Sequence, residues 1–150
     1  FLRVLAGRSL HQQGVRLGFS IHPNNFGPGL AIAHYGSIVV NSGARIGSNC
    51  RLHVGVNIGT SAGATNAAPT IGDNCYIGPG AKRFGPITVG DNTVIGANAV
   101  VNEDFAEGNA TLAGIPAKVI RRWTEADGWE PPLRNVYEAP DGWPVGYPDT

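Results

Sequence analysis

The sequence contains no methionine, only two cysteines and few charged residues, and it lacks any long apolar run. A membrane-spanning helix needs about 20 consecutive apolar residues, so that missing run excludes one, and no secretory signal is recognisable. Eleven Lys and Arg residues balance eleven Asp and Glu residues, and the net charge of zero argues against nucleic acid or an acidic membrane as a partner. Because the chain starts at Phe1 and has no methionine, we expect the native start to lie upstream.

A six-residue repeat runs through the middle of the chain. An aliphatic residue recurs at Val40, Ile46, Leu52, Ile58, Ile71, Ile77, Val89, Ile95 and Val101. Glycine follows most of these positions, and a small or compact residue stands two places before each. Neither the helix period nor the strand period gives six, whereas short strands joined by tight turns do. The repeat therefore predicts an all-β fold, a single-stranded parallel β-helix, in which the aliphatic residues fill the core and glycine permits the turn backbone.

Arg83 is the one residue that interrupts this pattern. An unpaired charge in an apolar core costs several kcal/mol. We therefore expect the Arg83 side chain to escape to solvent, to a partner subunit or to a phosphate.

The repeat divides the chain into segments. Residues 1–17 are expected to form a short, weak helix that docks on the first coil, and residues 18–122 form the β-helix domain. Within that domain, residues 59–70 are small and polar and shift the repeat by one residue, which indicates a loop leaving the coil. Residues 123–150 hold all three tryptophans and five of the eleven prolines, and form an extended tail that is either disordered or strapped down by its aromatic residues.

Both cysteines occupy the small-residue position of the repeat. We interpret Cys50 and Cys75 as core residues rather than as metal ligands or a disulfide, and we expect no metal. Two buried thiols suit a reducing compartment, which predicts a cytoplasmic protein.

Several motifs resemble the serine acetyltransferase group of left-handed β-helix acyltransferases. They are I-H-P at 21–23, G-L-A-I-A-H at 29–34, I-G-P-G-A-K at 77–82, I-G-A-N-A-V-V at 95–101 and A-G-I-P-A-K-V-I-R at 113–121. The closing motif is the most specific and also recurs in sugar O-acetyltransferases of capsule and lipopolysaccharide clusters. The resemblance covers roughly residues 18–121 and implies a left-handed coil, a homotrimer, and acetyl-CoA bound in the cleft between adjacent coils.

Two histidines are the candidate catalytic residues. Transfer of an acetyl group from a thioester to a hydroxyl needs a base and donors for the developing oxyanion, and neutral histidine suits the first task. The resemblance implies that His34 is this base. His53 follows nineteen residues later, about one coil, so we expect it beside His34, binding the acceptor or polarising the thioester carbonyl. His22 is interpreted as structural and His11 as solvated.

Three positions depart from the family pattern. Ser20 stands where an aspartate orients the catalytic histidine, Ala33 where an acidic residue precedes it, and Ala68 where a second histidine precedes a proline. We interpret these losses as evidence against free serine as the acceptor. They also leave a backbone carbonyl, Ser20 or Asn41 to fix the tautomer of His34.

The resemblance also assigns the cofactor contacts. Small residues whose exposed backbone can bond the pantetheine arm are Gly78, Pro79, Gly80, Ala81, Gly96 and Ala97. Lys118 and Arg121 match basic positions that face the CoA phosphates, and Lys82 is a second candidate.

These features favour an acetyl-CoA-dependent O-acetyltransferase that acts on a sugar or another small hydroxyl acceptor. An amino-sugar N-acetyltransferase and a serine O-acetyltransferase are the alternatives. A metal hydratase like the γ-class carbonic anhydrases is less well supported, because a zinc site there needs three ligands, mostly histidine. No two histidines in this chain lie closer than eleven residues.

Overall fold

The computed structural model describes residues 2–61, 68–124 and 126. Helix α1 spans Leu2–Leu17. The strands that follow are β1 Phe19–Ser20, β2 Ala31–Ile32, β3 Ile38–Val40, β4 Arg45–Ile46, β5 Arg51–Leu52, β6 Asn57–Gly59, β7 Thr70–Ile71, β8 Tyr76–Ile77, β9 Lys82–Phe84, β10 Thr88–Val89, β11 Thr93–Ile95, β12 Val100–Val101, β13 Ala110–Gly114 and β14 Ala117–Arg122.

The strands build three sheets that the chain visits in turn. Sheet 1 has the order β1-β3-β6-β9-β12, sheet 2 the order β10-β7-β4, and sheet 3 the order β14-β13-β11-β8-β5-β2. Each strand pairs in parallel with the strand one turn later, as in the pairing of Val40 with Ile58. The chain therefore returns to each sheet once per turn, as the repeat predicts. The last pair, β13 and β14, differs because it forms an antiparallel hairpin that the repeat did not indicate.

One turn is longer than the others. Lys82 pairs with Val100, eighteen residues on, whereas Asn57 pairs with Lys82, twenty-five residues on. The seven additional residues fall between β6 and β7, where the sequence indicated a loop. Residues 62–67 of that loop and residues 127–150 of the tail lie outside the described residues.

The aliphatic positions of the repeat point inward and form one continuous core. Leu52, Ile58 and Ile95 are at most 1% exposed. Cys50 and Cys75 are also fully buried, and both thiols are free. The Cys50 and Cys75 thiols donate to the carbonyls of the next coil, Gly72 and Gly90, at 3.3 and 3.4 Å. The interpretation of both cysteines as core residues is confirmed.

The glycines of the repeat serve close packing rather than an unusual turn backbone. Gly72 does not adopt a left-handed φ. A Cβ placed there would lie 2.7 Å from the backbone nitrogen of Asp91 and 2.9 Å from the carbonyl carbon of Gly90, both on the next coil. Glycine is therefore needed at this position because neighbouring coils touch through their backbones.

Asparagine supplies the left-handed backbone two residues after these glycines. Asn49, Asn74 and Asn92 share a φ of 54°. Their side chains form a ladder along the coil, since Asn49 donates to Asn74 at 3.3 Å, Asn74 to Asn92 at 3.1 Å, and Asn92 to Asn109 at 2.9 Å. Asparagine tolerates this conformation better than most residues, so each one fixes a turn and also bonds the next coil.

Arg83 lies inside the coil, and the expectation that its side chain escapes was wrong. The residue is 2% exposed, because its strand register places it opposite Ile58 and pointing inward. Its Nη2 donates to the carbonyl of Thr70 at 2.7 Å and also to that of Ile87. Burial lowers the pKa of Arg83 to about 10, so the guanidinium stays charged at neutral pH and its carbonyl partners stabilise it in the core.

Helix α1 is a complete four-turn helix rather than a weak one, and it contacts the coil mainly through β1. Its apolar side chains face solvent, with Val4 63% and Val15 69% exposed. A groove with a cavity volume of 680 Å³ separates the helix from the first coil and is lined by both, with Leu10 of α1 and Ile21 and Leu30 of the coil among its apolar residues. No helix in the described part of the chain is both long and apolar enough to cross a membrane.

Candidate functional site

The candidate site lies where the chain passes from sheet 3 to sheet 1. We call this edge the histidine corner and define it by the turns at residues 33–37, 53–56, 78–81 and 96–99. Ladder hydrogen bonds stack these turns, because the amides of His53, Gly78 and Gly96 donate to carbonyls of the next coil at 3.2, 2.8 and 2.8 Å. Side chains of successive turns are therefore held beside one another.

His34 and His53 meet at this corner. His34 follows β2 and is exposed, and His53 follows β5 and is half-buried. Their ring centroids lie 6.0 Å apart, with the ring planes tilted by 60°. The structure thus brings together the two histidines that the nineteen-residue spacing indicated.

Tyr76 packs against the second of these rings. Its ring centroid lies 4.9 Å from that of His53. Burial, with smaller contributions from Arg51 and His34, lowers the pKa of His53 below its ordinary value of 6.5. The imidazole of His53 is therefore neutral at neutral pH, and its Nε2 is buried without a hydrogen-bond partner among the described residues.

No acidic side chain bonds the His34 ring within residues 2–61 and 68–124. Asn41 does not fill that role, because its Oδ1 accepts from the amide of Gly43 at 2.9 Å in its own turn. Ser20 lies in β1, where it pairs with Val39. The ring contact recorded for His34 is therefore the one with His53.

The small residues expected to contact the cofactor line the same corner one and two turns further along. Gly80 adopts a left-handed φ of 72°, and a Cβ there would meet Asn98 of the next turn. Ala81 is buried, and Ala97 and Pro79 are exposed. Gly78 and Gly96 stack directly above His53, so an extended ligand can run along exposed backbone from the histidines.

Lys82 is held by the corner itself. Its Nζ donates to the carbonyls of Gly55 and Gly80 at 2.7 and 2.9 Å. These two hydrogen bonds hold the ammonium against the turn. In this structure Lys82 therefore stabilises the histidine corner and is not free to bind a phosphate.

Lys118 and Arg121 lie in the closing hairpin at the far end of sheet 3. Lys118 forms an exposed ion pair with Glu103 at 2.5 Å, and the Arg121 guanidinium lies 3.9 Å from the ring centroid of Trp123. Their strand β14 is five strand spacings from the strand that leads to His34. At about 4.8 Å per spacing this distance is about 24 Å. The histidines and these basic residues therefore sit at opposite ends of sheet 3.

Sequence reasoning missed Tyr76 as a residue of the site. A signal exists, because the long turn pairs Arg51 with Tyr76 and so places Tyr76 diagonally beside His53. That signal depends on a twenty-five-residue turn, which the shift of the repeat by one residue does not reveal.

The chain is similar in sequence to known proteins. Residues 68–103 match the family model described as bacterial transferase hexapeptide (six repeats). The chain is 36% identical over 114 residues to a serine acetyltransferase of Synechococcus elongatus, with 75% of this chain and 46% of the relative covered. These matches make the chain a member of the hexapeptide-repeat transferases.

Solved serine acetyltransferases are similar to this chain in fold. A serine acetyltransferase of Neisseria gonorrhoeae matches with a TM-score of 0.72 and 32% identity, covering 85% of this chain and 51% of that one. A serine acetyltransferase of Brucella abortus in complex with coenzyme A matches with a TM-score of 0.63 and 32% identity, covering 67% and 40%. Within its class, the chain is similar to serine acetyltransferases in both sequence and fold. It spans about half the length of the curated relatives it matches.

Proposed function

We propose that the chain carries the transfer site of an acetyl-CoA-dependent O-acetyltransferase, built on a left-handed β-helix, with His34 as the general base. The observation that carries this proposal is the histidine corner. It holds an exposed, unpaired imidazole at one end of sheet 3 and leads along small residues toward Lys118 at the other. The relative solved with coenzyme A supports the choice of cofactor.

The reaction uses His34 twice. Its free nitrogen takes the proton of the acceptor hydroxyl as the oxygen attacks the thioester carbonyl and the C–O bond forms. The tetrahedral intermediate then loses its C–S bond, and the departing CoA thiolate takes the proton back from His34. The products are the acetyl ester and free CoA.

Serine is the first acceptor to test, because the relatives carry its name. They do not support the sugar that the sequence favoured. A second candidate is a small hydroxyl compound without the charges of an amino acid. Ser20, Ala33 and Ala68 favour it, since none of them carries charge at the three positions that the resemblance associates with serine.

Release of the CoA thiol tests the function directly. The full chain with acetyl-CoA and a panel of serine, sugars and amino sugars should release thiol with a hydroxyl acceptor. His34→Ala should lower turnover by about 10² to 10⁴. His11→Ala, which removes an exposed histidine of α1, is the matched control and should turn over like the wild type. A folded His34→Ala variant with unchanged turnover would remove His34 from the reaction.

The cofactor end has its own test. Lys118→Ala combined with Arg121→Ala should raise the KM for acetyl-CoA more than it lowers kcat, because phosphate contacts far from the thioester bind the ground and transition states alike. Arg122→Ala is the control for the loss of a nearby positive charge, since Arg122 lies outside the two basic positions that the resemblance assigns to the phosphates. If the wild type does not distinguish acetyl-CoA from its 3′-dephospho form, the assignment of a 3′-phosphate contact is wrong.

We also propose a homotrimer in which a neighbouring chain closes the histidine corner. The corner is open on the single chain, and α1 leaves apolar side chains exposed. Light scattering of the full chain should give three times the mass of one chain, and a monomer with full activity would contradict the proposal.

A further inference from the structure

The two imidazoles of the histidine corner, with Tyr76 packed against that of His53, offer a way to orient the acceptor hydroxyl without an acidic residue. No carboxylate of the described residues orients His34, because alanine precedes it at Ala33 and the first strand offers Ser20. A lone exposed imidazole can bind a hydroxyl in many orientations, and misplacement of about 1 Å costs about 10²-fold in rate. A second fixed group that holds the same hydroxyl would remove this freedom.

His53 has the position and the rigidity for that task. Its backbone amide is bonded to Ile77 at 3.2 Å, and the Tyr76 ring lies against its imidazole. The amide bond holds the backbone of His53 and Tyr76 packs against its ring, whereas the His34 ring is exposed. His53 is thus the more restricted member of the pair.

The spacing of the two rings leaves room for one polar atom. With centroids 6.0 Å apart and tilted planes, the imidazoles make no direct hydrogen bond in the described structure. A hydroxyl oxygen placed between the ring edges can bond one nitrogen of each ring at ordinary distances of about 2.8 Å. The hydroxyl then gives its proton to one ring and accepts a hydrogen bond from the other.

The charge state of His53 suits this arrangement. Burial, the charge of Arg51 and the neighbouring His34 keep its pKa low. A neutral ring donates one hydrogen bond without placing a positive charge beside His34. The exposed imidazole of His34 therefore remains free to take up a proton.

We propose that His53 is a second catalytic residue, which holds the acceptor hydroxyl against His34, and that Tyr76 is a positioning residue that fixes the His53 ring. This inference rests on the proposed acetyl transfer and adds no chemical step to it. His53 lies between His34 and the small residues that lead to Lys118, and its ring contact with His34 is the reason for assigning it to the acceptor.

Kinetics of the full chain test the role of His53. His53→Ala should lower kcat/KM for the acceptor by about 10- to 100-fold and leave the KM for acetyl-CoA within twofold. His53→Gln keeps a side chain that can donate a hydrogen bond, so it should recover part of the kcat/KM that His53→Ala loses. If both folded variants keep the acceptor kcat/KM of the wild type, His53 does not hold the acceptor.

A double-mutant cycle tests Tyr76. Tyr76→Leu should lower activity with the natural histidine but should have little further effect in His53→Ala, since it acts through that ring. Tyr76→Phe keeps the ring and should retain more activity than Tyr76→Leu. By NMR titration, Tyr76→Leu should raise the pKa of His53 toward 6.5, because the ring becomes exposed. An unchanged pKa, or additive losses in the cycle, would overturn the positioning role.

The outcomes separate this inference from the function on which it rests. A wild type that binds CoA but releases no thiol with any acceptor would refute the acetyl transfer. The proposed role of His53 in holding the acceptor hydroxyl would then be refuted as well. Acceptor-dependent turnover that survives both His53 substitutions would refute the shared hydroxyl alone and leave the proposed function standing.

Discussion

Replacing Gly72 with alanine should weaken the coil at one point of contact between neighbouring turns. The new Cβ would lie 2.7 Å from the Asp91 nitrogen and 2.9 Å from the Gly90 carbonyl carbon, and closer still to the Asp91 carboxylate. No ordinary Cβ contact is shorter than 3.0 Å. The two backbone contacts must therefore open, and the carboxylate must leave its bond to the Asp73 amide, which is 2.8 Å long.

The magnitude follows from those two effects. Overpacking a close contact costs about 1–3 kcal/mol, and loss of one exposed hydrogen bond to a charged group adds about 1 kcal/mol. The sum is about 2–4 kcal/mol. For a chain of this size each kcal/mol shifts the midpoint by about 2–4 °C, so Tm should fall by roughly 5–15 °C.

Gly7→Ala is the matched control for this substitution. Gly7 lies in α1 with no atom within 4 Å of the added Cβ. Alanine favours a helix over glycine by about 1 kcal/mol, so the same chemical change should leave Tm unchanged or raise it slightly. Both variants are compared with the wild type by thermal and urea unfolding. Equal stability of the Gly72→Ala chain and the wild type would refute the argument that coil-to-coil backbone contact requires this glycine.

Three further predictions concern buried and titratable groups. Arg83→Ala should lower the free energy of unfolding by about 2–4 kcal/mol in urea, because it leaves a cavity and removes the donor to the Thr70 carbonyl; a loss below about 1 kcal/mol would contradict this. The hydrogen bond to Cys50 and burial raise the pKa of the Cys75 thiol, whereas the same hydrogen bond lowers that of Cys50, which only its complete burial protects. A thiol reagent at pH 8 should therefore label neither cysteine until the chain unfolds, and rapid labelling of folded protein would disprove it. Because the folded pKa of His53 lies below 6.5, the unfolded chain binds more protons, and stability should fall as the pH drops below 6.5. His53→Gln should remove that part of the pH dependence, and an identical pH profile for both proteins would show the reasoning to be wrong.

The inward residues of the coil were predictable from the sequence alone. Ile46, Leu52 and Ile58 are all buried, as the repeat requires, and both cysteines follow the same rule. The pairing of the two catalytic candidates was also predictable, because nineteen residues correspond to about one turn. These features follow from the alternation of side-chain direction along a strand, which is a local property of the backbone.

The role of the repeat's glycines was predicted wrongly. The sequence pattern suggested a turn conformation at Gly72, whereas the left-handed φ belongs to Asn74 two residues later. The sequence alone does not distinguish a glycine that permits close approach of two coils from one that adopts a left-handed φ. Only the distance to the next coil separates the two cases.

The tertiary structure alone decided which residues meet across turns. Arg83 breaks the apolar pattern, yet its direction is inward because of the strand register. The Thr70 and Ile87 carbonyls accept from its Nη2, whereas its Nε and Nη1 are buried without a partner among the described residues. Tyr76 joins the histidine corner because one turn has twenty-five residues instead of eighteen. The sequence determined the inward direction of the aliphatic residues of the repeat. The lengths of the turns decided which side chains become neighbours, because contacts between coils join residues that are far apart in the chain.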